Sequence, residues 1–280
     1  MPKFSVLVIL SLMFLTAVLG LSHGAGTYVN ITEPYNATIL HNGSIYLGKS
    51  GPGQTFSITI SSLTTNSTGT VFTRGWNEFK VVNYPSGWIV KNSALYRSTL
   101  TVDITPSPNA QNGTYKLGLS AINTGNYSKI GSLNFIAYVN ITPNVFRLNV
   151  SPENVYGSPG EPKSISIRIN NTGVSDSPFV INVSGIQGVS LQPETVIALH
   201  HTSEIFKYAI FAKTPGEYGP VVSVDSLESP LVNKSVRIRF DVKPSLLADY
   251  YAIGQGSPIF PIIYEPSYVL MYIIGLISKL

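Results

Sequence analysis

The sequence predicts an all-β chain of two consecutive β-sandwich modules, and three observations predict it. One strand motif occurs twice, apolar residues alternate with period two through most of the chain, and turn dipeptides separate the alternating runs. Pro52-Gly53-Gln54-Thr55-Phe56-Ser57-Ile58-Thr59-Ile60 returns 107 residues later as Pro159-Gly160-Glu161-Pro162-Lys163-Ser164-Ile165-Ser166-Ile167. The shared pattern is a Pro-Gly turn, three variable residues, then Ser-Ile-x-Ile. Val29-Asn30-Ile31-Thr32 followed by Pro34 is echoed by Val139-Asn140-Ile141-Thr142-Pro143, and Asn66-Ser67-Thr68-Gly69 more loosely by Asn170-Asn171-Thr172-Gly173. The chain of 280 residues therefore reads as two copies of a module of about 100 residues, the usual size of a domain. Each copy is large enough to bury a core without staples. The chain contains no cysteine, which removes disulfides, thiolate metal sites and cysteine nucleophiles together.

Taken in order, Met1-Pro2-Lys3 supplies one positive charge and Phe4 to Leu21 is uncharged and apolar, the layout of a signal peptide, with Ser22-His23-Gly24 offering small residues for cleavage. Residues 1–24 are read as that signal, with an uncleaved anchor as the alternative. Either way, the chain from about residue 25 is expected outside the cytoplasm. Asn-x-Ser/Thr triplets, the N-glycosylation acceptors, begin at Asn30, Asn36, Asn42, Asn66, Asn112, Asn126, Asn140, Asn149, Asn170, Asn182 and Asn233. These eleven exceed the roughly four that chance gives for this composition. Asn30, Asn140, Asn149 and Asn182 each lie between two apolar residues, so strand alternation places them on the solvent face, where a sugar leaves the packing undisturbed.

The first module spans residues 27–142. Phe56, Ile58 and Ile60 alternate with polar residues, as do Leu100, Val102 and Ile104, then Tyr115, Leu117 and Leu119, then Phe135, Ala137, Val139 and Ile141. No stretch of twelve residues carries a 3.6-residue period. The second module spans 143–243 with Ile165, Ile167 and Ile169 on one face. Val236, Ile238, Phe240 and Val242 read as a single final strand, its outward Arg237, Arg239 and Asp241 guarding an exposed edge against pairing with another chain. Residues 244–258 read as a linker containing Gly and Ser. The tail 259–280 is strongly apolar but interrupted by Pro261, Glu265 and Pro266. As a helix, residues 267–280 would reach only about 21 Å, short of the roughly 30 Å hydrocarbon core. Three readings stand for this tail: a short or kinked membrane anchor, an interfacial or partner-binding helix, and a buried C-terminal segment.

Asn83-Tyr84-Pro85-Ser86-Gly87-Trp88, Leu100-Thr101-Val102, Thr105-Pro106 and Gly113-Thr114-Tyr115-Lys116-Leu117 resemble the immunoglobulin-like surface modules called NEW3 or CARDB-like, found in archaeal and bacterial exported proteins. In the second module Gly188-Val189-Ser190-Leu191, Thr214-Pro215-Gly216-Glu217-Tyr218 and the Asn-Asn-Thr-Gly turn at 170–173 are similar, although the tryptophan is missing. The resemblance covers residues 27–243. It implies two immunoglobulin-like β-sandwiches in an accessory, adhesive or structural cell-surface role, and it carries no catalytic residues.

Charged residues make up 11% of the chain, against about 25% in an average domain, so the surface is polar but mostly uncharged. The net charge of +4 comes from eighteen scattered Lys and Arg, without the basic stripe and interleaved aromatics of a nucleic-acid binder. The histidines are His23, His41, His200 and His201; the adjacent last pair would face opposite ways in a strand, which argues against a shared metal. No phosphate loop, His-Glu-x-x-His, nucleophile elbow or calcium loop is present, and carboxylates are scarce. No cofactor, metal site or catalytic residue is expected. Trp88, after a Pro-Ser-Gly turn, reads as a core plug. Trp76, in Arg74-Gly75-Trp76-Asn77, reads as exposed and is the candidate for ligand stacking.

The expected function is that of a non-enzymatic, N-glycosylated, membrane-associated cell-surface protein, structural or adhesive. Its expected partners are the membrane through the tail, other envelope or surface proteins, and covalent glycans. A carbohydrate- or ligand-binding accessory module is the first alternative and an extracellular enzyme or enzyme accessory the second. With few carboxylates to protonate, the folded region is also expected to tolerate acid, its thermal midpoint falling by less than about 20 °C between pH 7 and pH 3.

Overall fold

Period-two alternation becomes strand pairing across the residues that the structure, a computed structural model, describes: 27–65, 69–125 and 130–244. Among them there is no helix. The first repeat forms β1 (Tyr28–Glu33), β2 (Ala37–Leu40), β3 (Ser44–Ser50), β4 (Phe56–Ser61), β5 (Thr64–Thr65), β6 (Val71–Phe72), β7 (Glu78–Asn83), β8 (Ile89–Lys91), β9 (Thr99–Thr105), β10 (Gly113–Ile122) and β11 (Ser132–Ile141). One sheet runs β2-β1-β4-β9-β8 and the other β3-β11-β10-β7, while β5 pairs with β6. Dealing successive strands between two sheets in this order is the immunoglobulin-like arrangement.

The second repeat forms β12 (Phe146–Ser151), β13 (Asn154–Gly157), β14 (Lys163–Asn171), β15 (Ser177–Ser184), β16 (Glu194–Ala198), β17 (Ser203–Ile210), β18 (Gly216–Tyr218), β19 (Val221–Ser226), β20 (Asn233–Arg237) and β21 (Arg239–Val242). Its sheets run β12-β14-β17, β16-β15-β19-β20 and β13-β21-β18. The repeats differ in several places: β2 and the β5–β6 pair have no counterpart in the second, β18 has none in the first, and one strand changes sheet. After the third main strand of the sandwich, β8 of the first repeat pairs with β9, whereas β16 of the second pairs with β15, Phe179 opposite Val196.

The alternation decides what is buried. Leu100, Val102 and Ile104 of β9 are buried while Thr101 and Asp103 are only half-buried, and Ile165, Ile167 and Ile169 of β14 are buried while Arg168 is exposed. Each such side chain contributes about 1.5–3 kcal/mol through removal of apolar surface from water. Phe79 stacks on Phe135 in the first repeat at 6.1 Å, and Phe146 packs on Phe179 in the second at 4.7 Å. Trp88 is buried, with its ring 5.3 Å from that of Tyr115.

The chain condenses into two units. The first takes described residues up to Leu47, Ser57–Ile104 and Thr114–Val139; the second takes Gly48–Phe56, Thr105–Gly113 and the described residues from Asn140 onward. The duplicated Pro-Gly turns both fall in the second unit, and they match in detail. Gln54 N–H donates to Gly51 O and Glu161 N–H to Ser158 O, each at 3.1 Å, with Gly53 at φ 78° and Gly160 at φ 76°. Proline at the second position and a left-handed glycine at the third are what a type II turn requires. The fourth side chain caps both turns: Gly51 N–H donates to Gln54 Oε1 at 3.0 Å, and Ser158 N–H to Glu161 Oε2 at 3.1 Å.

The final strand departs from the sequence reading. It breaks at Ile238, whose N–H donates to Pro220 O at 3.0 Å, and continues as β21. Opposite the break stands Pro220, which has no N–H to contribute to a ladder. Beyond it β21 is central, with β13 pairing parallel on one side and β18 antiparallel on the other, so it guards no edge. Asp241 is correspondingly buried, with its Oδ2 2.9 Å from Lys243 Nζ.

Candidate functional site

Nine of the eleven sequon asparagines lie among the described residues, and none is buried. Asn36, Asn42, Asn112, Asn149, Asn182 and Asn233 are exposed, and Asn30, Asn140 and Asn170 are half-buried. Asn66 and Asn126 lie outside the described residues, as do residues 1–24, expected to be a signal, and the apolar tail 259–280. The local cause is the pleat. Asn30 in β1 stands between Val29 and Ile31, and Asn182 in β15 between Ile181 and Val183, all four of these neighbours in the cores. Asn42 sits in a turn at φ 60°, a backbone region that asparagine tolerates better than most residues. Two of these side chains are held in place. Thr38 Oγ1 donates to Asn30 Oδ1 at 2.9 Å, and Asn233 Nδ2 donates to Pro230 O at 2.9 Å. What the set offers chemically is a series of solvent-facing amide nitrogens, the atoms to which an N-linked glycan is joined.

Trp76 is corrected. Sequence placed it on the surface, but the residue is 0% exposed. Its Nε1–H donates to Tyr28 O at 3.0 Å and its backbone N–H to Ser62 O at 3.0 Å. With the indole's one polar atom satisfied by a main-chain carbonyl, the large apolar ring is free to go inside. The polar neighbours that suggested exposure are themselves committed: Asn77 Nδ2 donates to Thr124 O at 3.0 Å, and Asn77 Oδ1 accepts from the Thr124 N–H and hydroxyl at 2.8 and 2.9 Å. A cavity of about 490 Å³ nevertheless opens beside the ring, and Arg74, Tyr96 and Arg97 contribute to its lining. Sequence reasoning singled out Arg74 only as a neighbour of Trp76 and passed over the other two, because they lie in two separate connections, between β6 and β7 and between β8 and β9, that only folding brings together.

The histidines sit differently from the strand picture. His200 and His201 occupy the turn between β16 and β17, their rings 5.7 Å apart and edge to face. His200 Nδ1 lies 2.6 Å from Asp176 Oδ1, and the same carboxylate oxygen accepts the His200 N–H at 2.7 Å. Burial alone would raise the Asp176 carboxyl, but these two hydrogen bonds and the attraction of the His200 ring outweigh it and hold the group below its ordinary range. Glu228 is shifted the other way, its carboxyl pushed up by burial. Among the described residues no group of three or more His, Asp or Glu side chains could hold a metal ion.

No protein family matches the chain in sequence, and no curated protein does. Among solved structures, the chain is similar to a chimeric titin Z1Z2 functionalised with an exogenous KLER peptide from decorin. That match has 11% identity and a TM-score of 0.35, over 79% of this chain and 100% of that one. It is also similar to the Yersinia pseudotuberculosis adhesin InvE (13% identity, 78% of this chain and 61% of that one, TM-score 0.26). A third match is WR4, a C. elegans MSP family member (14% identity, 35% and 97%, TM-score 0.23). With scores this low, the immunoglobulin-like fold rests on the strand order and the two cores.

Proposed function

We propose that the protein is a non-enzymatic, N-glycosylated, membrane-associated component of the cell surface, structural or adhesive, serving in an envelope layer or as the extracytoplasmic part of a membrane complex. The observation that carries this reading is a division among the asparagines. All nine described sequon asparagines reach solvent, whereas the three buried ones, Asn77, Asn123 and Asn171, begin no sequon. Burial sorts the two groups as glycosylation would require, because an amide inside a packed core cannot carry a sugar. A surface with few charges gains solubility and bulk from such sugars. A signal at 1–24 gives the chain a route to the enzymes that attach them, and both it and kinship with the NEW3 or CARDB-like modules belong to the same proposal.

Attachment is assigned to the tail 259–280 on its apolar sequence; among the described residues no helix is long and apolar enough to cross a membrane. The remaining partners are other envelope proteins. The test is the intact mass of the protein purified from its native source, with carbonate extraction of the membranes. Loss of residues 1–24, a mass excess in sugar-sized steps that falls as exposed sequon asparagines are changed to Gln, and retention in the membrane pellet are expected. An unmodified full-chain mass would overturn the glycoprotein reading, and release by carbonate would overturn the anchor.

A further inference from the structure

The cavity beside Trp76 lies wholly in the first unit and is lined by two arginines, Arg74 and Arg97, and by no carboxylate. Neither guanidinium takes part in an ion pair or a hydrogen bond among the described residues. The chain's ion pairs there engage Lys80, Lys91, Lys163, His200, Arg239 and Lys243 instead. Both residues are exposed, and two cations at one opening with no anionic partner favour an anion there. The lining also offers apolar surface: Val71 is 59% and Tyr96 65% exposed, while Phe72 is half-buried. Tyr96 is held at φ 58°, a left-handed backbone that a side chain with a Cβ resists, by its N–H bond to Asn77 O at 2.9 Å. The Tyr96 side chain thus leaves the backbone at a charged opening from a conformation for which glycine would be easier, with its hydroxyl 3.5 Å from Thr124 Oγ1.

We propose that this cavity binds an acidic sugar, a hexuronate unit whose carboxylate pairs with Arg74 and Arg97 while its C–H face lies on the Tyr96 ring. The planar guanidinium presents parallel N–H donors matched to a carboxylate, and the tyrosine supplies an apolar platform with a polar tip. At about 490 Å³ the volume falls within the roughly 300–1,000 Å³ of small-molecule sites. Four main-chain groups here are already paired: Trp76 N–H with Ser62 O, Asn77 N–H with Ile122 O, Tyr96 N–H with Asn77 O, and Gly75 O with Asn123 Nδ2–H. Side chains, the two guanidinium groups above all, are therefore the main donors that the site offers. That suits a ring carrying one carboxylate better than a peptide, which needs partners along its backbone.

The experiment is isothermal titration of the full-length protein with trigalacturonate, with its fully methyl-esterified neutral form, and with tetraglutamate. Trigalacturonate is expected to bind, the ester at least about tenfold more weakly, and Arg74→Gln and Arg97→Gln each to weaken the acid by at least about tenfold. Arg97→Lys, which keeps the charge and loses the fork, is expected to recover part of the binding, and Lys213→Gln in the second unit to change nothing. Tyr96→Gly separates recognition from packing: affinity falls about fivefold while the thermal midpoint does not drop, since glycine suits the backbone. Equal binding of the ester, insensitivity to both glutamine variants in protein that keeps its thermal midpoint, tetraglutamate bound as tightly, or no binding of trigalacturonate would each overturn the assignment.

Discussion

The two Pro-Gly turns share a backbone, a type II geometry and a capping side chain, yet they live in different chemistry. Gln54 is 1% exposed, and its amide nitrogen donates to Ser177 Oγ at 3.0 Å and Ser226 Oγ at 3.2 Å, with Ser50 and Ser175 paired nearby at 3.4 Å. The Glu161 side chain is 38% exposed, and its second oxygen meets Lys163 Nζ at 2.6 Å. Inside, the amide does what a carboxylate cannot, accepting from the turn with one atom and donating to hydroxyls with the other. At the surface a carboxylate needs only a cation and water. The turn is a local device, and the identity of its fourth residue is set by what surrounds it.

Exchanging those residues is the strongest way to break the comparison. Gln54→Glu leaves the Gly51 N–H satisfied but places a carboxylate against Ser177 and Ser226, and a loss of about 3–5 kcal/mol at pH 7 is expected. The introduced group's folded pKa would lie above its unfolded value. The penalty is therefore full above that raised pKa and fades as pH falls through it, when the protonated carboxyl regains a donor. Glu161→Gln is expected to cost less than about 1 kcal/mol. Urea unfolding at pH 7 and pH 4 measures both, and equal losses would show that the two turns are equivalent after all.

The glycines sharpen the same contrast. Gly160→Ala meets nothing within 4 Å and bears only the left-handed backbone, at about 1 kcal/mol. At Gly53 the added Cβ would also lie 3.0 Å from Glu228 O, so about 2 kcal/mol is expected there. Chemical denaturation of the two variants side by side checks the order.

Glu228, the residue behind the first turn, gives a smaller effect of opposite sign. Burial raises its carboxyl, so the folded state favours the protonated form, and stability present below the unfolded pKa is lost as pH rises through the folded one. Glu228→Gln is expected to raise stability by up to about 1 kcal/mol at pH 7 and by nothing at pH 3. Thermal midpoints at the two pH values measure the difference.

Asp176, between Ser175 and Ser177, gives the smallest effect. Its lowered carboxyl contributes stability above the unfolded pKa that disappears as pH falls through the folded pKa. At this exposed pair, solvent screening limits the Asp176→Asn loss to less than about 1 kcal/mol at pH 7, and the loss should vanish in strong acid. A pH series of midpoints that stays parallel to wild type would refute it.

Much of the fold was legible because its signals are local. A period of two places Leu100, Val102 and Ile104 on one face whatever lies opposite, and Pro-Gly prescribes its turn. The same alternation carried Asn30, Asn140, Asn149 and Asn182 to solvent. Legibility ended where a side chain's fate depends on a distant partner. Trp76 looked exposed among Arg74, Gly75 and Asn77, and nothing nearby announced that Tyr28 O would satisfy its indole. The unbroken run Val236 to Val242 concealed a break, because the residue opposite Ile238 is Pro220.

By itself the sequence determined the all-β class, the duplication, the positions of the Pro-Gly turns and the outward face of Asn30, Asn140, Asn149 and Asn182, all consequences of backbone sterics and of a pleat that repeats every two residues. Only the tertiary structure decided that Gln54 lies buried and Glu161 does not, that β8 and β16 join different neighbours, and that Arg74, Tyr96 and Arg97 share one opening. Those outcomes turn on which distant segments meet. Burial and charge pairing are properties of that meeting, and no short stretch of chain contains them.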